Sequence, residues 1–178
     1  MKDNFNYKDF EKSLSRATKT LIQTLINKYG EENIRAFCLY SDEDAGSSVF
    51  CFDTYKNYKK QISENGESEA DYYKWYFGEW LDDDTLSNDL NQISKTLFGA
   101  EYGETIEEFV KHKDRIYGIF VSVLSDIKGE GIFKSFNSDF VLMFGVSDFD
   151  NKELELNWMK KLNNEEVFNE FKTYRETY

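Results

Sequence analysis

The residues best equipped for chemistry are carboxylates gathered in three places: Asp42, Glu43 and Asp44; Asp82, Asp83 and Asp84; and Asp148 with Asp150. Carboxylate oxygens are the ligands of magnesium and calcium, and close pairs can divide acid and base roles. None of the three has the spacing of a calcium-binding loop, and aspartate in turns already has a structural reason to be there. The solvated-turn reading is therefore preferred and no cofactor is expected, while a metal-dependent enzyme using Asp148 and Asp150 stands as an alternative. The one histidine, His112, sits beside Lys111, Lys113 and Arg115, which suits an exposed, solvated side chain on a local basic patch. No serine or cysteine nucleophile motif, phosphate loop or metal-ligand histidine pair accompanies it, so a Cys38–His112 pair would have to be assembled by the fold.

A second kind of chemistry is recognition. The run from Tyr72 to Trp80 places six aromatic rings in nine positions and is followed at once by Leu81 and the Asp82–Asp84 triplet. As a strand it would alternate Tyr73, Trp75 and Phe77 against Tyr72, Lys74 and Tyr76; as a helix, Tyr73, Tyr76, Phe77 and Trp80 would share a face. Partly buried core packing is the preferred reading, because Trp and Tyr hide apolar area while keeping a polar tip wet. A binding face is the alternative, since aromatic residues dominate interface hot spots.

The elements that must position these groups can be read from periodicity. Phe10, Leu14, Ala17, Leu21, Leu25 and Tyr29 recur at helical intervals and should end at Gly30. Ile34 to Tyr40 and Ser48 to Asp53 read as a β-hairpin. With the turn centred between Asp44 and Ala45, Phe37 faces Phe52 and Leu39 faces Phe50 on one side, while Cys38 faces Cys51 and Tyr40 faces Val49 on the other. The cysteines then become cross-strand neighbours, read as two buried thiols rather than a redox pair. Short helices are expected over Tyr55 to Ile62 and Thr85 to Phe98. A longer one starts at the capping box of Thr105 and Glu108 and runs until Gly129 and Gly131. Asp139 to Val146 is apolar on both alternating faces, the pattern of a central strand. Helices over Lys152 to Leu162 and Glu165 to Tyr174 follow. The result is a single α+β domain: an antiparallel-containing β-sheet with an N-terminal helix and several packed helices.

Composition narrows the class of partner. A chain of 178 residues with 40% hydrophobic and 17% aromatic residues can build one sizeable core. Its formal net charge of -12 disfavours direct contact with nucleic acid, whose phosphates call for clustered Lys and Arg, and favours a basic partner. No apolar run reaches the ~20 residues needed to span a membrane, and the start Met1-Lys2-Asp3-Asn4-Phe5 lacks the apolar region of a signal peptide, so a cytosolic protein is expected.

Several short motifs occur in a fixed order: Lys28-Tyr29-Gly30 at a helix end; Ala36-Phe37-Cys38-Leu39-Tyr40-Ser41-Asp42 as strand and turn; Tyr73-Lys74-Trp75 followed by Glu79-Trp80; and Val146-Ser147-Asp148 followed by Leu156-Asn157. This order resembles a bacterial domain-of-unknown-function family whose members look like immunity proteins of polymorphic-toxin and contact-dependent growth inhibition systems. The resemblance implies a non-enzymatic protein that binds and neutralises a cognate toxin domain, a basic one such as a nuclease, through an acidic surface. It also places Trp75 and Trp80 in a shared core. The chain departs from the pattern at Tyr76 and Phe77, where smaller residues are usual, and at Trp158 after Asn157. Variable specificity requires a variable surface, so the toxin-binding residues expected are Tyr76, Phe77, Asp82, Asp83 and Asp84. A small-molecule or peptide-binding module with an aromatic-lined pocket is the alternative function.

Overall fold

The N-terminal apolar stripe winds into α1 (Tyr7–Tyr29), burying Phe10, Leu14, Ala17, Leu21 and Leu25 along one face. The Asn6 side chain accepts the Asp9 backbone N–H at its start, and Gly30, at φ 80°, ends it where a side chain would be strained. The computed structural model describes residues 5–100 and 104–177, in which seven α-helices surround one three-stranded sheet in an α+β fold. Residues 1–4, read above as part of a start without a leader, lie outside the described residues.

The sheet consists of β1 (Ile34–Ser41), β2 (Val49–Thr54) and β3 (Val141–Val146), in the order β2-β1-β3. β1 and β2 form the expected antiparallel hairpin with the expected register, Phe37 opposite Phe52, Cys38 opposite Cys51, Leu39 opposite Phe50 and Tyr40 opposite Val49. Its turn is closed by the Asp42 carboxylate, which accepts the backbone N–H groups of Asp44 and Gly46 at 3.1 and 2.8 Å. The first acidic cluster thus has a turn-building aspartate, as the composition of turns suggests. Toward the start of β1 the register slips between Ile34 and Ala36, so Arg35 is the extra residue of a β-bulge.

β3 corrects one expectation. Among the described residues it pairs only with β1, in parallel, and is an outer strand rather than a central one. Its two-sided apolarity has a different cause: α6 (Lys152–Leu162) lies along its free edge and contributes to both layers, with Trp158 and Leu162 on one face of the sheet and Met159 on the other. Where α6 ends, the Asn163 side chain takes the place of a neighbouring strand. Its Oδ1 accepts the Leu142 N–H at 2.9 Å and its Nδ2 donates to the Leu142 carbonyl at 2.7 Å. β2 is met in a similar way. Ser94 Oγ accepts the Ser48 N–H and donates to the Ser48 carbonyl, and Leu81 forms a one-residue antiparallel bridge to Phe52.

One face of the sheet carries Phe37, Leu39, Phe50, Phe52, Leu142 and Phe144 against α1, α4 (Asn88–Phe98) and α5 (Ile106–Gly129). Phe120 of α5 stacks on Phe144 at 5.0 Å between centroids, and ring pairs of this kind add about 0.5–1.5 kcal/mol beyond the area they bury. The capping box of Thr105 and Glu108 starts α5 as expected, whereas α4 begins at Asn88 after a 3₁₀ turn over Asp84–Leu86 rather than at Thr85. The opposite face carries Ala36, Cys38, Cys51, Val141 and Met143, covered by the aromatic run and by α7 (Glu165–Thr177). Among the described residues no helix is long and apolar enough to cross a membrane.

His112 also departs from expectation: it is buried, at 3% exposure. Its Nδ1 shares a 2.8 Å hydrogen bond with the Tyr7 hydroxyl, and the Phe5 ring meets it edge-on at 5.1 Å. Lys111, Lys113 and Arg115 adjoin it in sequence, but a helix turns about 100° per residue, and His112 continues the buried stripe through Ile116 and Phe120 that faces α1.

Candidate functional site

The aromatic run is neither a strand nor one helix. It folds as α3 (Ala70–Trp75) and a 3₁₀ turn over Phe77–Glu79, then reaches the edge of β2 through the Leu81 bridge. This path lays it across the second face of the sheet. Trp75, at 3% exposure, and Trp80, at 7%, become core, in agreement with their place in the shared pattern. Trp75 packs edge-to-face on Phe171 of α7 at 5.4 Å, and Lys74 forms an ion pair with Glu170, so α3 is fastened to α7 at one end.

The anchor beneath the run is a buried ion pair. The bulge aims Arg35 at Asp53, whose Oδ2 accepts from Nε at 2.9 Å and from Nη2 at 2.8 Å, with both side chains no more than 3% exposed. Asn57 donates to the other carboxylate oxygen at 2.8 Å. The guanidinium also donates to the carbonyls of Tyr73 and Lys74 at 3.3 Å and lies between rings, 4.5 Å from that of Tyr58 and 5.4 Å from that of Trp80. One arginine thus ties the strand pair to the last turn of α3 and closes off its carbonyls.

Between this run and α6–α7 opens a cleft of about 660 Å³, at the carboxyl ends of β1 and β3. Its floor is Cys51 and Met143. One wall is Trp75 to Gly78 with Trp80, and the other is Met159 of α6 with Phe171 and Tyr174 of α7. The loop of Ser147 to Asp150 crosses one end, its turn formed by Asp148 at φ 54°. Phe77 reaches over β3 at the one position without a side chain: a Cβ on Gly145 would stand 2.5 Å from the Phe77 ring. The ring then rests 5.4 Å from that of Tyr40.

Charge in the cleft is one-sided. Among the described residues, Asp82, Asp148, Asp150 and Glu155 line it against the single guanidinium of Arg175. Arg175 and Glu155 are in ion contact at 2.8 Å, yet Arg175 Nε and Glu155 Oε2 are buried without a directed hydrogen bond. Burial raises the Glu155 carboxyl above the ordinary range, with Arg175 opposing the shift. Asp82, Asp148 and Asp150 make no hydrogen bond or ion pair among the described residues. The same residues show no group of three or more His, Cys, Asp or Glu side chains placed to hold a metal ion.

Of the residues expected to meet a partner, the structure brings three together here. Tyr76, at 46% exposure, stacks on Tyr72 at 5.1 Å, Phe77 is half-buried beside it, and Asp82 is exposed at the mouth. Asp83 turns the other way. Its carboxylate pairs with Lys28 of α1 at 2.6 Å and accepts the Thr85 hydroxyl and N–H, and the Lys28 partner holds it below the usual aspartate range. Asp84 is exposed but outside the cleft lining. Sequence reasoning did not find Glu155 and Arg175, since a residue early in α6 and one near the end of α7 carry no shared motif. Tyr40 was placed on the correct face by the hairpin register without being recognised as part of a site.

The thiols of Cys38 and Cys51 are free and buried. Burial pushes the Cys38 thiol well above its ordinary value, with Cys51 adding to the shift. Cys38 belongs to the layer of the aromatic run, whereas His112 sits between α1 and α5 across the sheet, so the two form no nucleophile–base pair.

A family model described as Domain of unknown function (DUF4303) matches residues 14–164, a stretch that takes in the hairpin, the aromatic run, β3 and α6. No curated protein and no solved structure matches the chain.

Proposed function

We propose that this chain, which belongs to the DUF4303 family of domains of unknown function, is a cytoplasmic, non-catalytic immunity protein that neutralises a basic toxin domain. The observation that carries the reading is the meeting of Tyr76, Phe77 and Asp82 at the mouth of a cleft lined by four carboxylates and one guanidinium. Tyrosine is among the residues enriched at interface hot spots, and exposed charge beside such an anchor sets the rate and choice of partner. The excess of acidic residues over the whole chain, 34 against 22 basic ones, would steer a basic partner toward it and hasten association.

The test is co-expression with a basic toxin domain from a neighbouring gene, where one is encoded, scored by growth rescue and co-purification. Replacing Tyr76 by Ala and Asp82 by Ser should abolish rescue without loss of folded protein. Failure of the unaltered chain both to rescue growth and to co-purify would refute the proposal.

One observation favours a second reading. A cleft of about 660 Å³ falls within the ~300–1,000 Å³ range of small-molecule pockets, which suits a small-molecule or peptide-binding module. Native mass spectrometry of protein purified without a toxin separates the two: a bound metabolite or peptide of constant mass supports the second reading.

A further inference from the structure

We infer that the cleft is a receptor for one arginine side chain presented by a partner protein. The source of that arginine rests on the toxin-binding reading, but the chemistry of the pocket does not. Three observations converge. The walls are flat rings, with Tyr40, Tyr76 and Phe77 forming a connected edge. The carboxylates Asp82, Asp148 and Asp150 remain without a hydrogen bond or ion pair among the described residues, while the one cation of the lining, Arg175, is already in contact with Glu155. The charge left over is therefore negative and shares the cleft lining with aromatic rings, an arrangement that attracts a cation through both carboxylates and ring faces.

The choice of guanidinium over ammonium follows from shape and hydration. A guanidinium is planar, stacks on rings and sheds water more readily than the compact, strongly hydrated ammonium of lysine. The fold itself holds guanidinium groups this way. Arg35 lies 4.5 Å from the Tyr58 ring with Asp53 as its counterion, and Arg115 lies 3.7 Å from the ring of Tyr7. In the cleft the rings and the carboxylates are present, and the arginine would come from outside.

The experiment uses the full chain and a probe that needs no toxin, N-acetyl-L-arginine methylamide. Binding is followed by the emission of Trp75 and Trp80 and by backbone ¹⁵N chemical shifts at Tyr40, Tyr76 and Gly145. The expected result is a saturable response confined to these positions. The citrulline analogue, which has the same shape and no charge, should bind about tenfold more weakly or worse, and the lysine analogue should fall between them. Replacing Asp82, Asp148 and Asp150 together by Asn should weaken arginine binding about tenfold while leaving the thermal midpoint unchanged, as expected for exposed charges. Equal binding of citrulline, tighter binding of lysine, or no saturable shift would each overturn the inference. Loss of growth rescue with the arginine response intact would remove the toxin reading alone, and rescue without any arginine response would remove the pocket alone.

Discussion

Replacing Asp53 by Asn strands a guanidinium inside the protein. The exchange keeps volume and shape but removes the negative charge that receives two hydrogen bonds from Arg35, at 2.9 and 2.8 Å, where both partners are almost inaccessible to water. Each charge-assisted bond contributes about 1.5–3 kcal/mol, and breaking one side of a buried pair typically costs about 3–5 kcal/mol because the surviving charge has no solvent to return to. The Tyr73 and Lys74 carbonyls at 3.3 Å stay available to Arg35, which keeps the expectation within that range rather than above it. For a chain of this size 1 kcal/mol corresponds to about 2–4 °C, so the thermal midpoint should fall by about 6–20 °C. Urea titrations of the wild type, Asp53→Asn, Asp53→Leu, Arg35→Met and the double replacement Arg35→Met/Asp53→Leu form the assay. The double variant should be more stable than either single one, since an apolar pair of similar volume removes both desolvated charges together. A loss below about 1 kcal/mol for Asp53→Asn, or a double variant whose loss equals the sum of the singles, would show that the pair does not hold the run in place.

Two further outcomes follow from the site. Gly145→Ala places a Cβ where the Phe77 ring lies, so the ring must swing off β3, at about 1–3 kcal/mol, with loss of its contact to Tyr40. The added replacement Phe77→Ala should restore most of the stability but not growth rescue, and a Gly145→Ala protein as stable as the wild type would contradict the packing. The Lys28–Asp83 brace predicts a pH dependence. The Asp83 carboxyl is held below its usual value, so its stabilising contribution is complete above the ordinary aspartate value of 3.8 and disappears as pH falls through the lower, folded-state value. Asp83→Asn should therefore lower the urea midpoint at neutral pH and match the wild type in strong acid, and a difference that persists in acid would assign the loss to something other than this charge.

What could be read from the sequence was whatever obeys a simple period. Alternation on either side of Asp44 and Ala45 gave the register of the hairpin, and with it the face shared by Cys38, Cys51 and Tyr40. Gly30, Thr105 and Asn163-Asn164 marked helix ends by their own local chemistry. The site's anchor was hidden because it breaks the period. Continued alternation would point Arg35 into the layer of Phe37 and Leu39, and only the bulge turns it to Asp53. His112 misled because neighbours in sequence lie on different sides of a helix. β3 misled because its second cover is a helix alongside it, which alternation cannot distinguish from a flanking strand. The cleft itself depends on how α7 docks against α3, a long-range contact with no local signature.

The side chains of Asn163 and Ser94, together with the Leu81 bridge, have a consequence for how any partner can be read. Some recognition proteins accept an extended peptide as an added strand, with main-chain groups supplying affinity. Here the outer strands already have companions: Leu142 of β3 in Asn163, Ser48 just before β2 in Ser94, and Phe52 of β2 in Leu81. Lengthening the sheet would require removing one of them. A partner of the kind proposed would therefore have to be met by side chains rather than by an added strand, and the same plugs deprive a partly opened molecule of a ready template for joining its neighbours edge to edge.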